Sequence, residues 1–337
     1  MLNSSNNIPL VSIIMPAYNA DKFIQEAIES VLEQTYRNFE LIIIDDCSTD
    51  DTFKVAFSFK DPRIKIFQNK ENKGVIFSLN KALNFAKGFY LARFDADDIC
   101  LPSRIQTQIE FLIKKNVDIV GSYYMKFGNK SGIVKNPIHD QEIKTSLLFF
   151  NPIGHPTVLF KRALFDNGLF YYKDDWKHVE DYELWTRLIK NIRFYNVPKV
   201  LLKYRVSNGS ICALFNNDQY LANIELKKNL FFRFFPNLKL DTIELNWLER
   251  PSMNFNSIQL EKIFHFIIKL TEENKINEIF QHQILVKLLV SRMYNSMIIK
   301  KSNRFELCRL YVLLHFKLRN FPNPIHLFWM LIKGTIK

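Results

Sequence analysis

The strongest constraint on the fold is a regular alternation of short apolar runs and amphipathic segments through the first 124 residues. Buried strands are predicted at 11–15, 39–44, 64–68, 90–94 and 118–123. Helices are predicted between them at 22–33, from about 50 to 59, at 74–86 and at 102–115, with Asp21 as a possible cap of the first. This alternation predicts an α/β fold with a mostly parallel sheet and helices on both faces.

Polar residues follow three of these strands directly. They occupy positions 16–19 after the first strand, Asp45-Asp46 after the second, and positions 95–98 after the fourth. Ligands of open parallel sheets bind at the carboxyl ends of strands, so these groups predict a site for a cation or a polyhydroxy ligand. Asp95 and Asp97 project to one side of an extended segment and suit Mg²⁺ or Mn²⁺. The alternative is a solvated acidic turn capping the next helix, which fits Asp98 better than its neighbours.

Several segments, in this order, resemble the inverting glycosyltransferases of family 2, which have the GT-A fold. The first four are VSIIMPAYNA (11–20), IESVLEQTYRNFELIIIDDCSTDDT (28–52), NKGVIFSLNKAL (72–83) and LARFDADDICLPSRI (91–105). Looser matches follow at NPIGHPTVLFKR (151–162), VEDYELWTRL (179–188) and LLKYRV (201–206). The resemblance covers about two thirds of the chain and implies sugar transfer from a nucleotide-diphosphate donor.

The resemblance implies a donor site at the sheet edge. It assigns the metal, Mn²⁺ or Mg²⁺, to Asp97, with Asp95 near the metal or the ribose. Nucleotide recognition carries over to Pro16, Ala17, Tyr18, Asn19 and Asp46. Asn72 and Gly74 resemble a turn beside the donor, although a simple turn before a helix is an equal interpretation. Asp45 is either a further donor contact or a loop acceptor.

The resemblance also assigns the catalytic base to Asp181, with Glu180 beside it orienting a loop or a donor hydroxyl. An isolated acidic pair at a helix start is normally a surface feature stabilised by the helix dipole. His155 is a weak further candidate, since a lone His beside a proline is more often structural. Many relatives carry a His after the last Tyr-Arg strand, but Ser207 stands there in this chain. That difference puts a third protein ligand of the metal in question, while Arg205 either neutralises diphosphate charge or pairs with an acid.

A domain boundary is expected near residues 210–220. Residues 1–215 form the predicted GT-A catalytic domain, and residues 216–337 a helical, basic region. Residues 285–337 hold ten Lys or Arg and one acid, a net charge of +9 out of +12 for the whole chain. Basic amphipathic helices with aromatic residues are typical of binding to an anionic membrane surface. An acceptor platform and a solvated helical face are the alternatives, and no nucleic-acid-binding motif is present.

The resulting expectation is an inverting hexosyltransferase of surface-polysaccharide synthesis. It would move a hexose or N-acetylhexosamine from a UDP-sugar to a glycan or lipid-linked acceptor. Four dispersed cysteines and an N-terminus without a signal-peptide pattern predict a cytoplasmic protein, peripheral on the inner face of the membrane. The alternatives are a non-catalytic nucleotide-sugar-binding protein and a sugar-phosphate nucleotidyltransferase. The latter carries a Gly-rich loop after its first strand, whereas this chain has PAYNAD there.

Overall fold

The computed structural model describes residues 8–207 and 216–298. Its first half follows the predicted alternation, with strands and helices that differ from the prediction by a few residues at their ends. The elements are β1 (Val11–Ala17), α1 (Ile24–Leu32), β2 (Phe39–Asp45), α2 (Thr52–Ser58), β3 (Ile64–Gln68), α3 (Val75–Phe85), β4 (Tyr90–Arg93), β5 (Ile99–Cys100), α4 (Arg104–Lys115) and β6 (Ile119–Gly128).

The second half of the sheet domain is less regular. Its elements are β7 (Gly132–Val134), α5 (Asp140–Ser146), a 3₁₀ turn (His155–Thr157), β8 (Leu159–Lys161), α6 (Ala163–Asp166), a second 3₁₀ turn (Asp174–Trp176), α7 (Glu180–Leu188) and β9 (Phe194–Val206). The strand order is β3-β2-β1-β4-β8-β6-β9-β5, with β7 paired to β6. Strands β1 to β4 are parallel, whereas β8 is antiparallel to both β4 and β6. The α/β fold class with its mostly parallel sheet is confirmed.

The register of the parallel strands brings the predicted site residues to one edge. Ala17 at the end of β1 lies opposite Asp45 at the end of β2, and Ile14 lies opposite Arg93 at the end of β4. Every residue of β1, β2 and β4 is buried, because helices cover both faces of the central strands. Only the loops that leave these strands are therefore free to meet a ligand.

One local expectation is wrong. Asp21 does not cap α1, which begins after Phe23 with no side-chain cap; instead the Asp21 N–H donates to the Asp50 carboxylate over 3.2 Å. The predicted strand at 118–123 is present as β6, and β8 separates it from β4 in the sheet. The short strand β5, which pairs antiparallel with β9, is absent from the prediction.

Contacts divide the chain into two compact units. The sheet unit comprises residues 1–147 and 151–222, and the helical unit comprises residues 148–150 and 223–337. The described helices after β9 are α8 (Asn216–Phe234), α9 (Thr242–Glu249), α10 (Ser257–Asn277) and α11 (His282–Ile298). Buried aromatic residues pack within the helical unit, where Trp247 meets Phe266 edge to face at 6.2 Å. Within the described ranges, no helix combines the length and apolarity needed to span a bilayer.

Candidate active site

The loops after β1 and β2 hold each other in place. Asn19 has a left-handed backbone conformation, with φ of 48°, and its side-chain oxygen accepts from the Thr49 N–H over 2.9 Å. The Asn19 N–H donates to the Ser48 hydroxyl, which in turn donates to Asp45. Asp45 therefore accepts hydrogen bonds within its own loop, which is one of its two predicted roles. Tyr18 is 48% exposed beside this frame, so its ring is accessible for stacking.

Pro16 and Ala17 are buried, and the Ala17 carbonyl oxygen accepts from the Asp46 N–H over 2.8 Å. Asp46 is also buried, and its carboxylate accepts from the Asn69 amide at 2.6 Å and from the N–H groups of Lys73 and Gly74 at 3.0 and 2.7 Å. Asp46 thus anchors the turn before α3.

Gly74 begins α3 with φ of 86°, a conformation that other residues adopt only with strain. Asn72 is exposed two residues earlier in the same turn.

Three carboxylates meet in the turn after β4. One oxygen from each of Asp95, Asp97 and Asp98 lies within 4.8 Å of the others. Burial, followed by the charge of Asp95, raises the pKa of Asp97 to about 6 and that of Asp98 well above its usual range. Repulsion of this kind is relieved by a divalent cation, and a set of hard oxygen ligands suits Mg²⁺ or Mn²⁺.

Asp98 corrects the sequence analysis. It is 1% exposed rather than solvated, and its Oδ2 is buried without a hydrogen-bond partner. Its Oδ1 accepts from the Arg205 N–H over 2.8 Å. A buried, unpartnered carboxylate oxygen beside two other carboxylates fits a cation site far better than a helix cap.

Arg205 fixes the acidic turn from β9. Its Nε donates to the Asp97 carbonyl oxygen over 2.7 Å, and its guanidinium forms an ion pair with Glu26 of α1. The same guanidinium lies between the rings of Phe23 and Phe127, 4.5 and 4.4 Å from their centroids. Of its two predicted roles, pairing with an acid is the one present in this structure, and contact with a diphosphate stays a prediction.

The second acidic group begins α7. Asp181 Oδ2 accepts from the Asn151 amide at 2.7 Å, and its Oδ1 accepts from the Tyr182 N–H at 2.7 Å. Burial raises the pKa of Asp181, although these two hydrogen bonds oppose the effect. Burial and the adjacent Asp181 raise the pKa of Glu180 to about 7, and Glu180 Oε2 is buried without a partner. These acids are therefore not the surface residues that a helix start ordinarily carries.

His155 is a structural residue in this arrangement. It is buried, and its Nε2 lies 2.8 Å from the Tyr172 hydroxyl. Trp185 of α7 packs edge to face on the imidazole at 6.3 Å. Burial lowers the pKa of His155 well below its usual range, so the ring is neutral. Tyr172 is held in turn by α3, because Asn80 exchanges two hydrogen bonds with its backbone at 2.8 and 3.0 Å.

Arg93, the last residue of β4, interacts electrostatically with both acidic groups. Its guanidinium forms an ion pair with Asp95, and its positive charge lowers the pKa of Asp97, Glu180 and Asp181. The tertiary structure thus brings residues 93–98 and 180–181 into one electrostatically coupled site. A site with a cluster of oxygen ligands and a separate acid beside it can bind a metal-chelated phosphate and accept a proton.

A family model described as "Glycosyl transferase family 2" matches residues 12–175. A glycosyltransferase of Haemophilus influenzae without an assigned substrate is 32% identical over 300 residues, which span 84% of this chain and 87% of that protein. The chain belongs to glycosyltransferase family 2. Family membership makes the protein a glycosyltransferase and confirms the resemblance noted from the strand-end segments.

One further relative and one solved structure are similar to this chain. The Escherichia coli enzyme WfgD, named as a UDP-Glc:alpha-D-GlcNAc-diphosphoundecaprenol beta-1,3-glucosyltransferase, is 39% identical over 205 residues, covering 60% of this chain and 79% of WfgD. The structure of Staphylococcus aureus TarS residues 1–349 in complex with UDP-GlcNAc superposes with a TM-score of 0.58 at 20% identity. That match covers 92% of this chain and 91% of the TarS 1–349 chain, and it establishes a common fold.

Three residues of this candidate site were missed by sequence reasoning, namely Arg93, Asn151 and Tyr172. Arg93 carried a signal, because a charged residue closing an otherwise apolar buried strand needs a partner. Asn151 and Tyr172 carried none, since they reach the site through contacts with residues distant in the chain. Asp98 was noted in the sequence analysis, but it was predicted to be solvated and is buried.

Proposed function

We propose that the protein is an inverting transferase that moves a hexose or N-acetylhexosamine from a UDP-sugar to a glycan or lipid-linked acceptor in surface-polysaccharide synthesis. The observation that carries this proposal is the coupling of a three-carboxylate turn to a separate buried acid across Arg93. The UDP-sugar is supported by the TarS complex with UDP-GlcNAc and by the UDP-glucose named for WfgD.

On the donor side, we assign Asp97 and Asp95 to a divalent cation, with the unpartnered oxygen of Asp98 beside them. When bound, Mn²⁺ or Mg²⁺ neutralises the charge of the leaving diphosphate as a Lewis acid. The exposed ring of Tyr18 suits stacking on uracil. Pro16 and Ala17 form the buried end of β1, and Asn19 is bonded to the loop after β2, so these residues hold Tyr18 in position for the nucleotide. Asp46, Asn72 and Gly74 shape the neighbouring wall, since Asp46 holds the turn that contains the other two.

On the acceptor side, we assign Asp181 as the general base. Asn151 and the Tyr182 N–H fix its carboxylate, so it can present one oxygen to an acceptor hydroxyl in a constant direction. Deprotonation by a positioned carboxylate typically contributes about 10²–10⁴-fold to rate. Glu180 is placed to orient an adjacent hydroxyl. One base and no protein nucleophile imply a single displacement, which inverts the anomeric centre.

The names of the relatives support a proposed acceptor and a proposed cellular location. WfgD is named for a diphosphoundecaprenol-linked sugar, which is a membrane lipid intermediate. A similar acceptor would bring this protein to the cytoplasmic face of the membrane, where the basic C-terminal region meets anionic lipid. Residues 299–337 of that region lie outside the described residues. We propose residues 216–337 as the acceptor and membrane part of the chain, next to the catalytic part at 1–215.

The decisive experiment is product analysis with the Asp181→Asn variant. Asparagine keeps the shape and the Asn151 neighbour but cannot take the proton, so turnover should fall by about 10²–10⁴-fold. UDP binding in Mn²⁺ should stay nearly unchanged, because Asp181 faces the acceptor. Asp166→Asn, on the exposed face of α6, is the matched control and should retain activity.

Proton NMR of the glycoside product reads the anomeric configuration. An α-linked donor should give a β-linked product. Retention of configuration would contradict the single displacement, and full activity of Asp181→Asn would remove that residue from the role of base. Binding of UDP-sugars without any transfer would instead favour the non-catalytic alternative. Family membership already favours the glycosyltransferase over a sugar-phosphate nucleotidyltransferase.

A further inference from the structure

Arg93 is a buried charge held by very few groups. Its side chain is 7% exposed, and its guanidinium pairs with Asp95, whose side chain is 23% exposed. The Nε of Arg93 is buried without a hydrogen-bond partner. Its backbone is fully used, since its N–H donates to the Val158 carbonyl over 2.9 Å and its carbonyl accepts from Arg104 over 2.7 Å. A buried arginine with an incomplete set of partners costs stability, which calls for a reason in function.

The antiparallel pairing of β8 with β4 explains what Arg93 faces. It places the 3₁₀ turn that contains His155 next to the end of β4, and Tyr172 and α7 pack on that turn. The charged and titratable groups that act on the Glu180–Asp181 pair are Arg93 at the end of β4, Asp95 just after β4, and Tyr172 before α7. His155 beside Tyr172 is neutral, and Asn151 adds an uncharged hydrogen bond.

We propose that Arg93 is a positioning residue that serves both halves of the site: it fixes the Asp95 carboxylate by an ion pair and supplies a buried positive charge that favours the ionised form of the acidic pair of α7. The proposal rests on the proposed role of Asp181 as base. A base must be deprotonated before it can accept the acceptor proton. Burial and the mutual repulsion of Glu180 and Asp181 oppose that state, and the charge of Arg93 favours it.

Neutral substitution at position 93 separates this role from simple packing. Without the cation, the pKa values of Glu180 and Asp181 should rise by about one unit, the smaller end of the range for a close opposite charge. The acid limb of the kcat/KM profile should then move to higher pH by the same amount in Arg93→Met. Arg93→Lys keeps the charge but loses the planar guanidinium. The acid limb of its kcat/KM profile should therefore stay at the pH of the parent, while its rate is lower at every pH.

Arg104→Met is the matched control. Arg104 is equally buried and adjacent, but its guanidinium donates to the Gln108 side chain and to carbonyl oxygens. Its loss should reduce stability and leave the acid limb in place. Thermal unfolding of all variants monitors folding, and Arg93→Gln replaces Arg93→Met if the latter does not fold.

A measurement without turnover keeps this test independent of the proposed reaction. The ¹³C carboxyl shift of Glu180, assigned with Glu180→Gln, should titrate near pH 7 in the parent and about one unit higher in Arg93→Met. An unchanged midpoint, or a uniform loss of rate with the parent's pH profile, would overturn the proposal. It would also be overturned if neither neutral variant folded while Arg93→Lys matched the parent in rate and profile, since the charge would then serve stability alone.

Discussion

At the scale of single residues, Asp97 is the most direct test of the donor site. Two neighbouring carboxylates and its half-buried position in the turn make it the first metal ligand we propose. We expect Asp97→Ala to weaken binding of UDP in the presence of Mn²⁺ by more than about tenfold, because even outer-shell changes at metal sites cost 10–100-fold. Isothermal titration measures this, with Asp166→Ala as control. Equal affinities in variant and parent would exclude Asp97 as a ligand.

Glu180 is a site residue whose charged form destabilises the fold. Its pKa is raised from 4.5 to about 7 by burial and by Asp181, so the folded state binds more protons than the unfolded state between these values. The free energy of unfolding therefore falls as pH rises through this window. We expect Glu180→Gln to raise the melting temperature, and to do so more at pH 8 than at pH 5.

Thermal unfolding without nucleotide or metal measures this difference. Glu110→Gln, on the exposed face of α4, is the control and should show no such dependence on pH. A Glu180→Gln variant that melts below the parent at pH 8 would show that the carboxylate stabilises the fold and would contradict the interpretation.

At the scale of elements, the acidic turn after β4 depends on β9 for its shape. Arg205 reaches the turn through a side-chain hydrogen bond to the Asp97 carbonyl oxygen, and Phe23 and Phe127 hold its guanidinium in position. We expect Arg205→Ala to weaken Mn²⁺-dependent UDP binding by about 1.5–3 kcal/mol, the scale of one charge-assisted hydrogen bond.

Arg205→Lys should recover little, since an ammonium cannot make the Asp97 and Glu26 contacts together. Lys203→Ala, two residues earlier on β9, is the control. If Arg205→Ala binds as well as the parent, the turn keeps its shape without this anchor.

At the scale of the whole molecule, the charge is concentrated in one segment. Residues 299–337 hold eight Lys or Arg and one acid, a net charge of +7. Attraction of about 1 kcal/mol per basic residue near an anionic surface is ample for binding. We expect the full chain to float with anionic liposomes at low salt and to be released at high salt, and a chain ending at Ile298 to remain unbound.

A triple variant, with Gln at Lys300, Lys301 and Arg304, distinguishes charge from apolar insertion and should bind more weakly than the parent. Flotation of the truncated chain at parent levels would place the membrane contact elsewhere.

The sequence by itself was sufficient for the first half of the sheet and for the acidic residues at its edge. The hydrophobic periods that distinguish strands from helices are local properties of the sequence. In a parallel sheet, the residues that follow each strand lie at the carboxyl edge. This is why β1 to β4 were predicted within a few residues and why Asp95 and Asp97 were correctly placed beside each other. The resemblance of the strand-end segments then identified the family.

Only the tertiary structure decided how the two acidic groups meet. The insertion of β8 between β4 and β6 is a pairing of distant segments, and no local period encodes it. That insertion places the turn with His155, on which α7 packs, next to the end of β4, and the packing buries Asp98 and the Oε2 atom of Glu180. The pKa values of these acids follow from burial and from neighbours distant in the chain, so they become visible only once the packing is known.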